Sequence, residues 1–225
     1  MIIFDSIQKT FTSLGGGLRE ASFKIDNNEF VFLTGPSGAG KTTILRLILR
    51  QIMPNSGSIT VDDFEITKNN FNQTVELRRH IGMVFQDFKI LPEKNVFENI
   101  ALSLQVIKTP REQITDAVME VLSLVGLSEK KLMFPSQLSA GELQRVAIAR
   151  AVVGERTIIL ADEPTGNLDP KTSWEIMKLF KKLEGSRTII IATHNVDIVN
   201  SFKKRVISLK DGRIIRDKHK GGYEL

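Results

Sequence analysis

The ten residues from Thr34 to Thr43, T-G-P-S-G-A-G-K-T-T, constrain this chain more than any others. They follow an apolar run, Phe30-Val31-Phe32-Leu33, and lead into Ile44-Leu45-Arg46-Leu47-Ile48-Leu49. A strand, a glycine-rich turn and a helix, in that order, are the context in which G-x-x-x-x-G-K-[ST] forms a phosphate-binding loop. Gly35, Gly38 and Gly40 let the backbone bend until successive N–H groups face inward, at the positive end of the following helix. Pro36, Ser37 and Ala39 fill out the turn, and Thr43 carries it into the helix. From here Lys41 can reach β- and γ-phosphates, and the Thr42 hydroxyl can ligate Mg²⁺. A nucleoside-triphosphate site is expected.

At 225 residues the chain fills one domain, or a domain with a subdomain, but hardly two independent ones. Cysteine is absent, which removes disulfides and thiolate-bound metals and fits a reducing compartment. No apolar run approaches the ~20 residues of a membrane span. Met1-Ile2-Ile3-Phe4-Asp5 lacks the basic region and cleavage site of a signal peptide. A soluble, cytoplasmic protein is expected. The formal charge of +5 gathers in the last stretch, Phe202 to Leu225, where eight Lys and Arg residues face Asp211, Asp217 and Glu224. Such a tail can lie near an anionic membrane or nucleic acid, or simply be a solvated face.

Ile2–Phe4 and Ala21–Ile25 read as strands, separated by the loop signal Gly15-Gly16-Gly17. A buried helix is expected from Lys41 to about Met53, stopped by Pro54-Asn55-Ser56-Gly57. Ile59–Val61 opens a hairpin ending near Ile66, and Ile81–Phe85 is the next buried strand, with Gln86 at its end. Helices then take over: Val96–Ile107, one opened by the T-x-x-E box Thr109–Glu112 and closed by Gly126, and one from the S-x-x-E box Ser139–Glu142 to about Val153. Strands return at Thr157–Ala161 and Thr188–Ala192, separated by a helix over Lys171–Leu183, and Asp211-Gly212 turns a closing hairpin. This order predicts an α/β core carrying an inserted α-helical subdomain over residues 87–153 of a single domain, 1–225.

Ile158-Ile159-Leu160-Ala161-Asp162-Glu163 ends an apolar strand on two carboxylates. Asp162 is placed to hold Mg²⁺. Strand alternation turns Glu163 the other way, toward an attacking water.

Taken in order, these motifs resemble the nucleotide-binding domains of ABC-family ATPases over almost the whole chain. Gly35–Thr42 matches the Walker A loop, Gln86 the Q-loop glutamine, and Leu138-Ser139-Ala140-Gly141-Glu142 the signature motif. Ile158–Asp162 matches the Walker B strand with Glu163 after it, Gly166–Asp169 the D-loop, and His194 the switch histidine. Phe11 stands where the family places an aromatic under adenine. The resemblance implies a P-loop NTPase fold: a RecA-like α/β core with an N-terminal antiparallel β part and an inserted helical subdomain. It implies ATP and Mg²⁺ as cofactors. Lys41, Gln86, Glu163 and His194 are the implied catalytic residues, and Thr42, Gln86 and Asp162 the metal ligands. Residues 35–43, Phe11, Ser139, Gly141, Glu142 and Asp169 are implied at the nucleotide, the signature residues on that of a second copy in a head-to-tail homodimer formed on ATP binding.

Strings such as Arg145–Val153 and Ala161–Asp169 are similar to those of the cell-division branch of the family, and are shared by a wider group of lipoprotein-release and macrolide-export ATPases. That resemblance implies an integral membrane partner docked beside Gln86, over residues 87–104 with Phe88 and Leu91. It also implies a peripheral position on the inner face of the membrane. Nucleic acid is not an expected partner, because the paired cassettes or long inserts of such family members are missing; a non-hydrolysing scaffold would have no need of Glu163 or His194. Three departures from the family pattern stand out: Ala140 for glycine, Leu143 for a commonly polar residue, and Asn195 for aspartate. None removes a group the chemistry requires, and slow turnover is compatible with all three.

Overall fold

The computed structural model describes residues 1–11 and 16–219. Gly15, in the expected glycine loop, and the basic residue Lys220 in the tail lie outside the described residues. The chain opens with strands β1 (Ile2–Thr10), β2 (Gly17–Ile25) and β3 (Phe30–Thr34), helix α1 (Lys41–Ile48), strands β4 (Ser56–Val61) and β5 (Phe64–Glu65), and helix α2 (Thr74–Arg79). The middle holds β6 (Ile81–Val84), α3 (Val96–Val106), α4 (Arg111–Val125), two short 3-10 turns, α5 (Ala140–Val152), β7 (Ile158–Asp162) and α6 (Pro170–Lys182). It closes with β8 (Thr188–Ala192), α7 (Val196–Phe202), β9 (Arg205–Lys210) and β10 (Arg213–Lys218). Two compact units result: Met1–Arg78 with Glu184–Leu225, and Arg79–Leu183.

In the first unit β2, β1, β4 and β5 form an antiparallel sheet. Strand β3 pairs in parallel with both β8 and β9, and β10 folds back on β9. All five residues of β3 and of β8 are buried, as expected for strands with both faces covered. β1 runs well beyond Phe4. Left-handed Ser6 (φ 52°) and Glu20 (φ 54°) interrupt the alternation that would have revealed its length, and the pairing shifts register between Phe4 and Ile7. Helix α1 stops at Ile48, short of the expected Met53. Arg50 takes φ 48°, with Nε donating to the Ile66 carbonyl (2.9 Å) and its guanidinium over the Phe71 ring (5.0 Å). A tertiary contact thus ends the helix where propensity would continue it. Asp211 (φ 48°) and Gly212 (φ 78°) make the expected hairpin turn, both in the left-handed region that a type I′ turn demands. Arg205, 6% exposed, bonds Glu29 (2.9 Å) and Asp217 (2.7 Å), tying β9, β10 and the turn before β3 together.

In the second unit β6 and β7 pair in parallel from Ile81↔Ile158 to Val84↔Ala161. The Thr109–Glu112 box does not form. Pro110 is itself the N-cap, with no side-chain cap, and the Thr109 N–H bonds back to Leu104 O (3.0 Å), because the residue before a proline is pushed out of the helical region. A capping box forms instead at Asn95 and Glu98, opening α3 with bonds of 2.8 and 2.9 Å. Gly126 closes α4 at φ 71°, as expected. Helix α5 packs across β6 so closely that a Cβ built on Gly82 would stand 1.9 Å from the Ala151 carbonyl oxygen. Among the described residues no helix is long and apolar enough to cross a membrane.

The contact at Gly82 yields a direct expectation. Gly82→Ala forces strand and helix backbones apart and lowers stability by about 1–3 kcal/mol, the usual cost of overpacking. Urea or thermal unfolding measures it, and an unchanged midpoint would show that the two elements separate freely.

Candidate functional site

In the first unit the phosphate loop hangs from the C-terminal end of β3. Gly35 takes φ 144°, and a Cβ there would stand 2.2 Å from the Leu209 carbonyl oxygen of β9, so only glycine can start the turn. Lys41, 7% exposed, donates from Nζ to the Gly35 (2.7 Å) and Pro36 (3.1 Å) carbonyls, which holds its ammonium against the loop. Helix α1 starts from Gly40, itself left-handed at φ 109°, and has no side-chain cap. Its first turn thus presents N–H groups and the positive end of the helix dipole, the arrangement that suits a phosphate. Pro36, Ser37 and Gly38 are exposed at the mouth, Ala39 lies buried behind them, and Thr42 and Thr43 are half-buried. Phe11 bonds from its N–H to Gly16 O (3.0 Å), and its ring lies under Lys9 Nζ at 5.5 Å. His194 follows β8, where the Thr193 N–H donates to Leu33 O (3.0 Å), so the histidine and the phosphate loop leave neighbouring parallel strands at the same edge.

The second unit carries the remaining candidates. Gln86 follows β6 and Asp162 ends β7, and the Val84↔Ala161 register brings them to one edge. Glu163 is not placed by strand alternation, as the sequence suggested: it lies past the strand with φ 46°, left-handed, which re-aims its side chain by a backbone reversal. The Gly166 N–H closes the turn on Glu163 O (3.1 Å). A Cβ on Gly166 would lie 3.4 Å from that same oxygen and 3.7 Å from Gln86 Nε2, so Gln86, Glu163 and the following turn are immediate neighbours. Asn167 Nδ2 reaches Gln86 O at 3.5 Å.

Ser139 caps α5 through the expected box: its N–H donates to Glu142 Oε2 (2.9 Å), while its hydroxyl accepts from the Glu142 N–H at a longer 3.4 Å. Asp169 likewise caps α6, accepting from the Thr172 N–H (3.0 Å). The two helix starts converge, since a Cβ on Gly141 would stand 2.5 Å from Thr172 Cγ2. Between them lies a cavity of about 460 Å³ whose walls include Ser139, Gly141, Glu142, Arg145, Asn167 and Asp169. Its walls thus combine two helix N-termini and the Arg145 guanidinium with the Glu142 and Asp169 carboxylates. Arg145 is fixed by Glu175 (2.6 Å) and leans on the Val125 carbonyl (3.4 Å). The Lys130 ammonium, 2.5 Å from Glu142, holds that carboxyl below the usual carboxylate range, with the Ser139 N–H adding to the effect. The Thr172 hydroxyl and N–H lower the Asp169 carboxyl in the same way.

The uncapped loop fits a nucleoside triphosphate, and its donor chemistry fits Mg²⁺. In the first unit Thr42 offers a hydroxyl at the start of α1; in the second, Gln86 and Asp162 offer a carboxamide and a carboxylate at one strand edge, and each is a hard-oxygen donor of the kind Mg²⁺ accepts. Among the described residues no group of three or more His, Cys, Asp or Glu could hold a metal ion.

The model of the family described as ABC transporter matches residues 18–166. The chain belongs to that family, with the P-loop NTPase α/β fold, and it is an ATPase. Among curated proteins it is similar to the cell division ATP-binding protein FtsE. The identity is 45% over 224 residues with that of Bacillus subtilis, covering 99% of this chain and 98% of the relative. It is 46% over 227 residues with that of Mycobacterium tuberculosis (100% and 99% covered) and 49% over 208 with that of Streptococcus pneumoniae serotype 2 (92% and 90%). Among solved structures it is similar to the ATP-binding cassette MJ0796 in a dimeric post-hydrolysis state bound to ADP and Pi. There the TM-score is 0.87 and the identity 34%, with 99% of this chain and all of that one covered.

Lys130 and Thr172 fall outside the sequence motifs, and Arg145 and Asn167 stand within them with no role of their own. Arg145 had a signal, one turn after Glu142 on the same helix face, whereas Lys130 meets Glu142 only through the tertiary fold. The Lys130–Glu142 pair is testable by pH. The lowered carboxyl contributes stability at pH above its unfolded value, and this is lost as pH falls through the folded value. In Lys130→Met the largest cause of the shift is gone, so the variant has less of this stability at neutral pH and its acid-side loss is shallower, the two proteins converging at low pH. Because the pair is partly exposed, the difference stays small, well under about 1 kcal/mol. Thermal unfolding from about pH 3 to 6 reads it; superimposable profiles would remove Lys130 from the signature.

Proposed function

We propose that this chain is the ATP-hydrolysing subunit of an FtsE–FtsX-like membrane complex, in which ATP-driven dimer closure regulates cell-wall hydrolases during cell division. The observation that carries the reading is similarity to FtsE proteins at 45–49% identity over 92–100% of the chain. It favours the cell-division role over lipoprotein release or macrolide export. The dimeric cassette holding ADP and Pi supports a homodimer as the hydrolysing form. The partner is an integral membrane subunit of the FtsX kind, which would place the chain on the cytoplasmic face of the membrane.

In this reading residues 1–225 work as one cassette, with 87–153 as its helical subdomain. The N–H groups from Gly38 to Thr42 and the Lys41 ammonium bind the β- and γ-phosphates, and Thr42, Asp162 and Gln86 hold Mg²⁺, which supplies charge neutralisation when bound. Glu163 accepts a proton from the attacking water as its oxygen bonds to the γ-phosphorus and the bond to the β-phosphate oxygen breaks. His194 donates to the γ-phosphate and stabilises the charge that spreads over it. Phe11 stacks on adenine. Ser139, Gly141 and Glu142 of one copy, with Asp169 beside them, complete the nucleotide site of the other.

Two experiments test this. Glu163→Gln is expected to bind ATP as well as wild type and to accumulate as a dimer. Its hydrolysis should fall by roughly 100-fold or more, the usual scale for losing a general base. Phosphate release and light scattering measure both, and normal turnover would exclude Glu163 as the base. For the partner, Phe88→Ser and Leu91→Ser should each weaken co-purification with the membrane subunit by at least about tenfold, the cost of losing an interface anchor. Undiminished recovery would move the docking surface elsewhere.

A further inference from the structure

After Gln86 the chain makes two consecutive left-handed turns on residues that disfavour them, Phe88 (φ 58°) and Lys89 (φ 52°). Their carbonyls are thereby set side by side, and one guanidinium takes both. Arg150 Nη2 donates to Phe88 O at 2.7 Å and Nη1 to Lys89 O at 2.5 Å. A planar fork with two parallel donors suits such a pair, and a lysine could satisfy only one geometry at a time. The guanidinium is substantially buried, which pulls its pKa down, so these charge-assisted bonds replace lost hydration.

Arg150 is well braced for this work. Its neighbour Ala151 presents the carbonyl that Gly82 of β6 approaches so closely, and the Arg150 carbonyl itself accepts from Ser103 Oγ of α3 (3.1 Å). The backbone on one side of Gln86 is therefore locked to α5 through β6, and the backbone on the other side is locked to α5 through Arg150. Further along, Asn99, wholly buried, donates from Nδ2 to Leu91 O (3.0 Å) and Lys94 O (2.9 Å), fixing the rest of the segment to α3. The same helix α5 begins at Ser139, about 16 Å away at ~1.5 Å per residue.

We propose that Arg150 is a positioning residue for Gln86: its clamp on the Phe88 and Lys89 carbonyls fixes the backbone that aims the Gln86 carboxamide, and it binds that segment to the signature helix as one rigid piece. The inference rests on the reading of Gln86 as a catalytic, metal-holding side chain. Displacement of the segment, from the Phe88–Leu91 surface or from the signature end of α5, then reaches Gln86 through Arg150.

The test is a double-mutant cycle on Mg²⁺-dependent ATP hydrolysis by the full chain. Gln86→Ala and Arg150→Met should each lower kcat by about tenfold, the scale of a misplaced catalytic group, with KM for ATP changed by no more than about twofold. If Arg150 acts through Gln86, the double variant is no slower than Gln86→Ala alone within about twofold, and Arg150→Lys retains an intermediate rate. Arg156→Met is the control for loss of a partly buried arginine, since Arg156 Nη1 donates to the Arg79 carbonyl (2.6 Å); its effect on the melting temperature should not be accompanied by coupling to Gln86. Multiplying effects, a double variant about 100-fold down, would overturn the inference and leave Arg150 a purely structural residue. Should Arg150→Met fail to fold, the cycle is run with Arg150→Lys and read by the same criterion. If Gln86→Ala alone turns over at the wild-type rate, the reading of Gln86 itself falls, an outcome distinct from additivity.

Discussion

The second unit depends on the approach of α5 to β6 at Gly82, where strand and helix backbones come closer than any side chain would permit. Backbone contact of this kind is stiff, because no rotamer change can relieve it. It fixes α5 along its axis, and both ends of that helix then carry consequences. At the N-terminal end Ser139 and Glu142 close a capping box on the cavity wall, and Lys130 pins the carboxyl that closes it. At the C-terminal end Arg150 takes the carbonyls beyond Gln86. One helix therefore sets the position of two candidate groups distant in sequence, and Val146 to Ala149, all buried, supply the apolar seat that holds it.

The first unit solves a different problem, which is to gather positive potential without a cluster of cations. Lys41 is the one charged group in the loop, and the loop's own carbonyls hold it. The rest comes from the uncapped start of α1, reached through a left-handed Gly40. The parallel pairing of β3 with β8 and β9 brings the loop to the strand edge that also bears His194. The chain's formal excess charge is not part of this arrangement: Arg205 is spent on Glu29 and Asp217, and Lys204 on Glu184. The tail's basic count thus overstates the cationic surface it presents.

Features written in adjacent residues were legible from the sequence. The phosphate loop, the Ser139 box, the Gly126 stop and the Asp211-Gly212 turn each need only a few neighbours to define them, and each has the expected geometry. The failures have more than one cause: the proline inside the Thr109–Glu112 box undoes it locally, and elsewhere a distant partner or an unexpected backbone turn overrode a local preference. Arg50 leaves the helix for the Ile66 carbonyl, and Ser6 and Glu20 break the alternation of a strand pair that is otherwise continuous. Glu163 was assigned its direction from strand periodicity, yet a positive φ after β7 sets it. Arg150 and Phe88 are 62 residues apart, and nothing in either local pattern announces their meeting. Left-handed non-glycine residues mark several of these places, because strain persists only where tertiary contacts over-determine it.

Two of the three departures from the family pattern, Asn195 and Ala140, also have a structural account. Asn195, in place of aspartate, caps α7 by accepting from the Ile198 N–H at 3.1 Å, so it keeps the capping role while removing a negative charge beside His194. Ala140 is exposed on the cavity wall as the first residue of α5, a position where alanine costs the helix nothing. Its methyl narrows the approach to the helix N-terminus, whereas Gly141, next to it, has no room for one against Thr172. The two positions are therefore unequal: a methyl at 141 would require the Thr172 side chain to shift, whereas the one at 140 stands exposed.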